Sequence, residues 1–406
     1  MNLVFLSHTA MGGSFVVGSH HLAKAFAAAG HSVTHLSAPV SIPHVALAMR
    51  GGFTRTRVLR WLRGGEYFNE VHDVVPLSLI PWRFVRYLPA LMNSSSTMAF
   101  TTPFRGFTMR RMRRADWLIV DDPRLIGMAT RRTAARLMYR ATDLYAEMGH
   151  DPSIIDAEKS LCRRADMLVA TSDVVAEHLN RISGRDVLVI KNGVDFEMFS
   201  PPLVGHPLDL GLPGARETRA VYVGSFDRRF GLEALRNAAT ALRDKQFILI
   251  GPGSEAASRK LDSGNVTALG AVAYPDIPKI LWQCAVGMLP LSNDAANAGR
   301  SPMKLYEYAA AGLSVAATAT KELRGRDLPT LSLAEVEQDF GAAVHRAFIQ
   351  AGDKTLLERG RLVAAREGWS SKAKEMLELL TAGAASDRAE WRGPRRRSVS
   401  ASPSKH

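Results

Sequence analysis

Three short stretches carry side chains whose types and spacing can do chemistry. In "RLMYRATDLYAE" an apolar run ends on a carboxylate, Asp143. A carboxylate within hydrogen-bond reach of a hydroxyl can take its proton as that oxygen attacks an electrophilic carbon. In "GRSPMKLYEYAAAGLSVAAT" a helix opening at Pro302 carries Met303, Lys304 and Glu307 in its first turns, and Gly312 ends it. The unpaired N–H groups at such a start suit an anion. Lys304 adds a point charge for a diphosphate, and Glu307, one turn along on the same face, can accept hydrogen bonds from ribose hydroxyls. In "YVGSFDRRFG", Gly224 and Ser225 stand just past a strand, where a missing Cβ lets backbone N–H groups approach a phosphate, with Arg228 and Arg229 close by.

Each of these has a plainer reading. Asp143 can be a cap after its strand, and Lys304 with Glu307 can be an ion pair on a solvated helix. The "RSP" before that helix and the small-residue run after it favour a binding site. Gly12 and Gly13 in "HTAMGGSF" sit where a first strand-to-helix loop could meet phosphates, or where the chain simply turns tightly.

The elements that must position these residues alternate between short apolar runs and helical patterns. "LVFLS", "FVVGSHHLAKAFAAAG" and "HSVTHLSA" form a strand, helix, strand unit, which implies a parallel sheet. "DWLIVDDP", "RLMYRATD", "DMLVATSD" and "RDVLVIKNG" follow as strands ending in polar residues, as parallel strands do where their carboxyl ends meet a ligand crevice. Gly and Pro in "NGVDFEMFSPPLVGHPLDLGLPG" mark a linker. Beyond it "AVYVGSF", "FILIGPG", "VTALGAV" and "VGMLPLS" start a second series, with "GLEALRNAATALRD" and "AYPDIPKILWQC" helical. The expected fold is α/β, two doubly wound, Rossmann-like halves facing a central cleft. Residues 1–200 form the first and 201–368 the second; 369–381 form a terminal amphipathic helix, in "GWSSKAKEMLELL", returning to the first half. Residues 382–406 are a basic, disordered tail rich in Ser, Pro and Arg.

In motif order over most of residues 1 to 380 the chain resembles GT-B glycosyltransferases and, within them, the Gum K-like membrane-associated glucuronosyltransferases of xanthan assembly. "YRATD" looks like the catalytic strand end of that family, "VGSF" like its donor-loop start and "SPMKLYEY" like its nucleotide-binding helix. The resemblance implies that Asp143 is the general base for the acceptor hydroxyl. It implies that Ser225 and Phe226 border the nucleotide, that Met303 and Lys304 hold its uracil-diphosphate portion, and that no metal is needed. The chain departs from the pattern at Leu291, where the glucuronosyltransferase has an aromatic, and in "GAVAY", which lacks an acidic residue. Glu307 replaces an amide and matches the wider GT-B pattern. Retaining relatives carry a Glu eight residues before the helix Glu, and that position here is Gly299, which favours inversion.

The implied reaction moves a sugar, glucuronic acid on the resemblance, from a UDP-sugar to a lipid-linked oligosaccharide in exopolysaccharide synthesis, without a cofactor. The leaving UDP needs positive charge, which Lys304, the helix dipole and Arg228 can supply. "VDDP" has adjacent acids without the spacer of an Asp-x-Asp metal motif, although Asp121 and Asp122 can line the cleft. His8, His20 and His21 lack acids or cysteines at ligand spacing and read as surface or hydrogen-bonded histidines, with His8 a cleft candidate.

Composition bounds the partners. The chain has 406 residues, 46% hydrophobic and 22% charged, with a formal charge of +13. That excess suits phosphate groups or an anionic surface. No apolar run is long enough to cross a bilayer, and "MNLVFLSHTA" lacks the basic start of a secretion signal. Cys162 and Cys284, far apart, suggest a reducing cytosol and buried thiols. In "VALAMRGGFTRTRVLRWLRGGEYF" and "LIPWRFVRYLPALM", Trp61, Trp82, Phe84 and Tyr87 interleave with arginines. Arg50, Arg55, Arg57, Arg60 and Arg63 there can attract anionic lipid, placing the protein peripherally on the inner face of the cell membrane. Basic stripes with aromatics can also track nucleic acid, but no recognised binding motif is present, so no nucleic-acid partner is expected. A retaining transferase is the nearer alternative. A sugar-nucleotide epimerase would need further acid/base groups beside Asp143.

Overall fold

The computed structural model describes residues 1–13, 15–48, 52–78, 110, 112–129, 134–148, 152–202 and 210–385. Arg50, Trp82, Phe84, Tyr87 and tail residues 386–406 lie outside these.

The first half contributes β1 (Asn2–Leu6), β2 (Ser32–Leu36), β3 (Val40–Ser41), β4 (Glu66–Phe68), β5 (Val71–Val74), β6 (Leu77–Ser78), β7 (Ala115–Val120), β8 (Ala134–Ala141), β9 (Met167–Ala170) and β10 (Leu188–Val189). They build an 8-stranded sheet in the order β10-β9-β8-β7-β1-β2-β5-β4, with β3 and β6 paired apart. Every described pairing is parallel except β4 with β5. The second half contributes β11 (Arg219–Val223), β12 (Gln246–Ile250), β13 (Val266–Gly270), β14 (Val286–Leu289), β15 (Ser314–Thr318) and β16 (Leu331–Ala334). These form a 6-stranded sheet, β13-β12-β11-β14-β15-β16, parallel throughout. Strands covered on both faces bury nearly every side chain, which is why Leu3–Leu6, Trp117–Val120 and Val286–Leu289 read as unbroken apolar runs. Cys162 and Cys284 are buried thiols in these cores.

The terminal helix runs Trp369–Ala385, past the expected end at 381. Its residues Trp369, Met376 and Leu380 share a core with Phe5, Trp117 and Met167 of the first sheet, and the Trp117 indole donates to the Leu380 carbonyl at 3.1 Å. Fully burying such side chains contributes about 1.5–3 kcal/mol each, so the helix is a structural part of the first unit.

The basic Gly52–Leu62 helix departs from expectation. Arg55 and Arg63 are exposed, but Arg57 donates to the Ala38 carbonyl and Arg60 is buried. Arg60 reaches the Met11 carbonyl at 2.7 Å, Glu66 at 2.9 Å and the Asp73 carboxylate, and covers the Phe68 ring. The cause is Asp73, fully buried and bonded to His35 at 2.6 Å. A buried carboxylate must be paired. Burial alone would raise its pKa, yet the His35 ring and the Arg60 guanidinium hold it below the ordinary carboxylate range. Arg57 and Arg60 therefore serve the interior and are not lipid-facing charges.

Candidate active site

Parallel register brings the carboxyl ends of β1, β7 and β8 side by side, delivering His8, then Asp121 and Asp122, then Thr142 and Asp143 to one edge. Two of the acids are occupied. Asp121 pairs with the buried Arg140 at 2.7 Å, and the Tyr145 hydroxyl donates to its backbone carbonyl at 2.6 Å. Asp122 caps the Pro123–Leu125 turn, accepting from Arg124 N at 2.9 Å and from the Arg124 guanidinium, with His8 Nδ1 at 3.7 Å. Asp143 alone keeps a partial opening, and its one described side-chain hydrogen bond is a long 3.5 Å contact from the Thr142 hydroxyl. Burial pushes the Asp143 carboxyl above the ordinary range, opposed in turn by Arg300, Arg229, His8 and that hydroxyl. A carboxylate made more basic by its surroundings yet reachable from the cleft has the properties a general base needs.

Facing it, β11 ends at Gly224 and Ser225. A Cβ on the neighbouring strand-end Gly251 would lie 1.9 Å from the Gly224 carbonyl oxygen, so these two strand ends touch backbone to backbone. The Tyr222 hydroxyl donates to the Ser225 carbonyl at 2.9 Å, and the Ser225 hydroxyl donates to Asp227 at 3.2 Å. Phe226 packs edge-on against Tyr222 and Phe230, with ring centroids 5.2 and 4.7 Å away. Asp227 grips Arg229 through the guanidinium and the backbone N–H. Against the effect of burial, those bonds bring the Asp227 pKa to about 2. Arg228 pairs with Asp294 at 3.1 Å and donates to the Glu147 carbonyl of the opposite half.

The third stretch starts one residue later than expected. Pro302, at ψ 116°, is the residue before the helix, which runs Met303–Ala310 with no side-chain cap. Lys304 bonds the Glu307 carboxylate, whose side chain is 1% exposed. The Tyr274 hydroxyl donates to the same carboxylate at 3.3 Å, and the Lys304 ammonium lies 5.4 Å from the Tyr274 ring centroid. This is a built polar cluster, not an ion pair on a solvated face. It reaches the first half: Tyr274 Oη lies 3.5 Å from His21 Nε2, and His21 stacks on Trp369 at 5.0 Å. Burial, then the charges of His20, Lys24 and Lys304, drop the His21 pKa to about 3, so it stays neutral. His20 is likewise buried and bonded to the Thr9 carbonyl at 2.9 Å. Met303 packs against the Phe5–Trp117–Trp369 core.

The structure thus sets Asp143 opposite the Arg228–Arg229 segment, with Met303, Lys304 and Glu307 on an adjoining helix. Gly12 and Gly13 belong to the loop after β1. Gly12 has φ +70° and a Cβ there would meet the Phe68 ring at 2.7 Å, so its first duty is a tight, closely packed turn. Sequence reasoning missed Gly251, Tyr274 and Arg300, and His21, read as a surface or hydrogen-bonded histidine, is buried. The glycine in "IGPG" after a strand was a usable signal; the others become visible only when the halves meet. Among the described residues no group of three or more His, Cys, Asp or Glu is arranged to hold a metal ion.

Compared with known proteins, residues 217–348 match the family described as glycosyl transferases group 1. That stretch of the chain is similar to group 1 glycosyltransferases. Gly224, Ser225, Phe226, Arg228, Arg229, Arg300, Met303, Lys304 and Glu307 all fall inside the matched stretch. A Bacillus subtilis protein named as a teichuronic acid biosynthesis glycosyltransferase, TuaH, is 24% identical over 235 residues; the match covers 55% of this chain and 59% of that protein. Among solved structures, sucrose-phosphate synthase from Thermosynechococcus elongatus superposes with TM-score 0.69 at 18% identity, over 94% of this chain and 99% of that one. HepE from Anabaena, solved with UDP and glucose, gives 0.66 at 15% identity over 94% and 99%. The two halves of the chain share the GT-B fold with these structures.

Proposed function

We propose that this protein is an inverting, metal-independent glycosyltransferase that moves a sugar from a UDP-sugar to a hydroxyl of a lipid-linked oligosaccharide. The observation that carries this reading is the placement of Asp143, the one open acid at its strand edge, opposite a cation-rich loop of a glycosyltransferase domain. In the step proposed, the acceptor oxygen bonds to the anomeric carbon while the bond from that carbon to the UDP oxygen breaks. The hydroxyl proton passes to Asp143, and the charge left on UDP is met by nearby guanidinium and ammonium groups and the Met303–Ala310 helix start. UDP as carrier is supported by the Anabaena relative, solved with UDP and with UDP-glucose. Inversion is supported by Gly299, where an added Cβ would lie 2.8 Å from Leu144 Cγ and 2.9 Å from Val175 Cγ2, leaving no room for a glutamate. Glucuronic acid, on the motif resemblance, is the first donor to try. A polysaccharide product is supported by the name of the Bacillus relative.

A membrane-bound acceptor is supported by the surface around the Ile42–Leu47 and Gly52–Leu62 helices. Ile42, Leu47, Leu62 and Tyr67 are 45–66% exposed there, beside the exposed Arg55 and Arg63. Aliphatic side chains and cations together suit an anionic lipid surface. No helix of the described residues is long and apolar enough to cross a membrane. Isothermal titration with UDP tests the donor half of the proposal: binding is expected, weakened by Lys304→Ala, and an absence of any UDP binding by the wild type overturns it. Sedimentation with anionic vesicles tests the surface, where Leu62→Glu should reduce the bound fraction; equal sedimentation of the two proteins would contradict it.

A further inference from the structure

The cations available to a donor diphosphate differ in how they are held. Lys304 is bonded to Glu307, Arg228 to Asp294 and Arg229 to Asp227. Arg300 is partly buried, and among the described residues its guanidinium makes no ion pair and no hydrogen bond. Its backbone is nonetheless held in place. The carbonyl of Gly299 accepts from the Ser172 hydroxyl at 2.7 Å, and the carbonyl of Ser301 accepts from the Asn192 side-chain amide at 2.9 Å, so first-half residues clamp the segment on both sides of Arg300. Asn192 is itself held by Arg140 at 3.2 Å, and Ser301 Oγ by Arg326 at 2.9 Å. Gly299 lies against Leu144, the residue after Asp143.

We propose that Arg300 is the cation shared by the two substrates' sites: its guanidinium binds the diphosphate of the nucleotide-sugar donor while standing beside the Asp143 carboxylate that receives the acceptor proton. The proposal rests on the glycosyltransferase reading above. The clamped backbone fixes where the side chain starts, the unpaired guanidinium has no protein partner to give up on binding, and its planar fork matches phosphate oxygens. The charge of Arg300 already acts on both walls, on Asp143 of the first half and on Tyr222 of the second. The groups facing Asp143 are Arg300 and Arg229 from the second half, His8 from the β1 end, and Thr142 and Tyr145 from its own strand end and turn. Arg300 favours the ionised carboxyl. When donor phosphates engage the guanidinium, that support is shared with their negative charge and Asp143 becomes a stronger base, so donor occupancy primes proton abstraction.

The test compares wild type, Arg300→Gln and Arg300→Lys by calorimetric titration with UDP and with uridine, and by the pH profile of sugar transfer. Losing a charge-assisted bond to phosphate should weaken UDP by about tenfold or more in Arg300→Gln. Uridine affinity should not change, and Arg300→Lys should recover part of the loss. The acid limb of the Arg300→Gln pH profile should move to higher pH, because a cation that favoured the carboxylate is gone; a merely structural residue would not move it. UDP affinity equal to wild type, or uridine weakened as much as UDP, would overturn the assignment. If wild type itself binds no UDP, the glycosyltransferase proposal fails first; if wild type binds and Arg300→Gln binds equally, only this inference fails.

Discussion

Gly299 and Leu144 meet across the two halves so closely that a single added methyl group has nowhere to go: a Cβ at Gly299 would stand 2.8 Å from Leu144 Cγ. Gly299→Ala should therefore cost about 1–3 kcal/mol, the usual range for forcing extra volume into a packed contact. Denaturant unfolding measures this. In a double-mutant cycle with Leu144→Ala, the double variant should lose less stability than the sum of the two single losses, and strict additivity would contradict the contact.

Asp143 pits stability against function. Its carboxyl pKa is raised in the folded protein, so folding favours the protonated form; stability is highest at acid pH and falls as pH rises from the unfolded value through the folded one. At neutral pH Asp143→Asn removes that penalty and should raise the melting temperature by a few degrees while costing about 100-fold or more of the transfer rate. Wild type and variant should melt alike only below the ordinary carboxylate range. Identical melting at pH 7 would show that the site stores no such strain.

Lys304 and Glu307 form a pair that is expensive to break on one side. Glu307 is 1% exposed, and without Lys304 the Tyr274 hydroxyl alone would meet its charge. Lys304→Met should destabilise by about 3–5 kcal/mol, as removal of one partner from a buried ion pair does. Lys304→Met with Glu307→Gln should recover most of it. Thermal unfolding of the set decides, and an undisturbed Lys304→Met would mean that the pair is better solvated than its burial indicates.

Removing the terminal helix should unfold the first half. Truncation after Gly368 strips Trp369, Met376 and Leu380 from the core shared with Trp117, and loss of the last two alone costs about 3–6 kcal/mol at about 1.5–3 kcal/mol per buried side chain. Near-ultraviolet circular dichroism of the shortened chain should lose its tertiary signal. A truncated protein with native melting behaviour would refute this role.

Much of this architecture is legible in the chain because parallel strands covered on both faces leave a strong signature: the runs around Val4, Leu118 and Met138 each became a sheet strand ending where polar residues begin, and the run around Ile248 became one ending at Gly251. The Pro302 to Gly312 punctuation located its helix to within a residue. Side-chain destinations were not legible. Arg57 and Arg60 occur in the same basic helix as Arg55 and Arg63, and only the position of Asp73 on a neighbouring strand decides that Arg60 turns inward. Arg300 has no distinguishing neighbours in sequence; its importance comes from Asn192 and Ser172, more than a hundred residues earlier, which hold the backbone on either side of it.

The most direct test of the central claim is transfer of label from UDP-sugars, UDP-glucuronic acid first, to membrane-extracted lipid acceptors by wild type and Asp143→Asn, with UDP affinity measured on both. Wild type should form labelled lipid, and Asp143→Asn should bind UDP as tightly while losing about 100-fold or more of the rate, the contribution expected of a positioned general base. Transfer by Asp143→Asn at the wild-type rate would contradict the account.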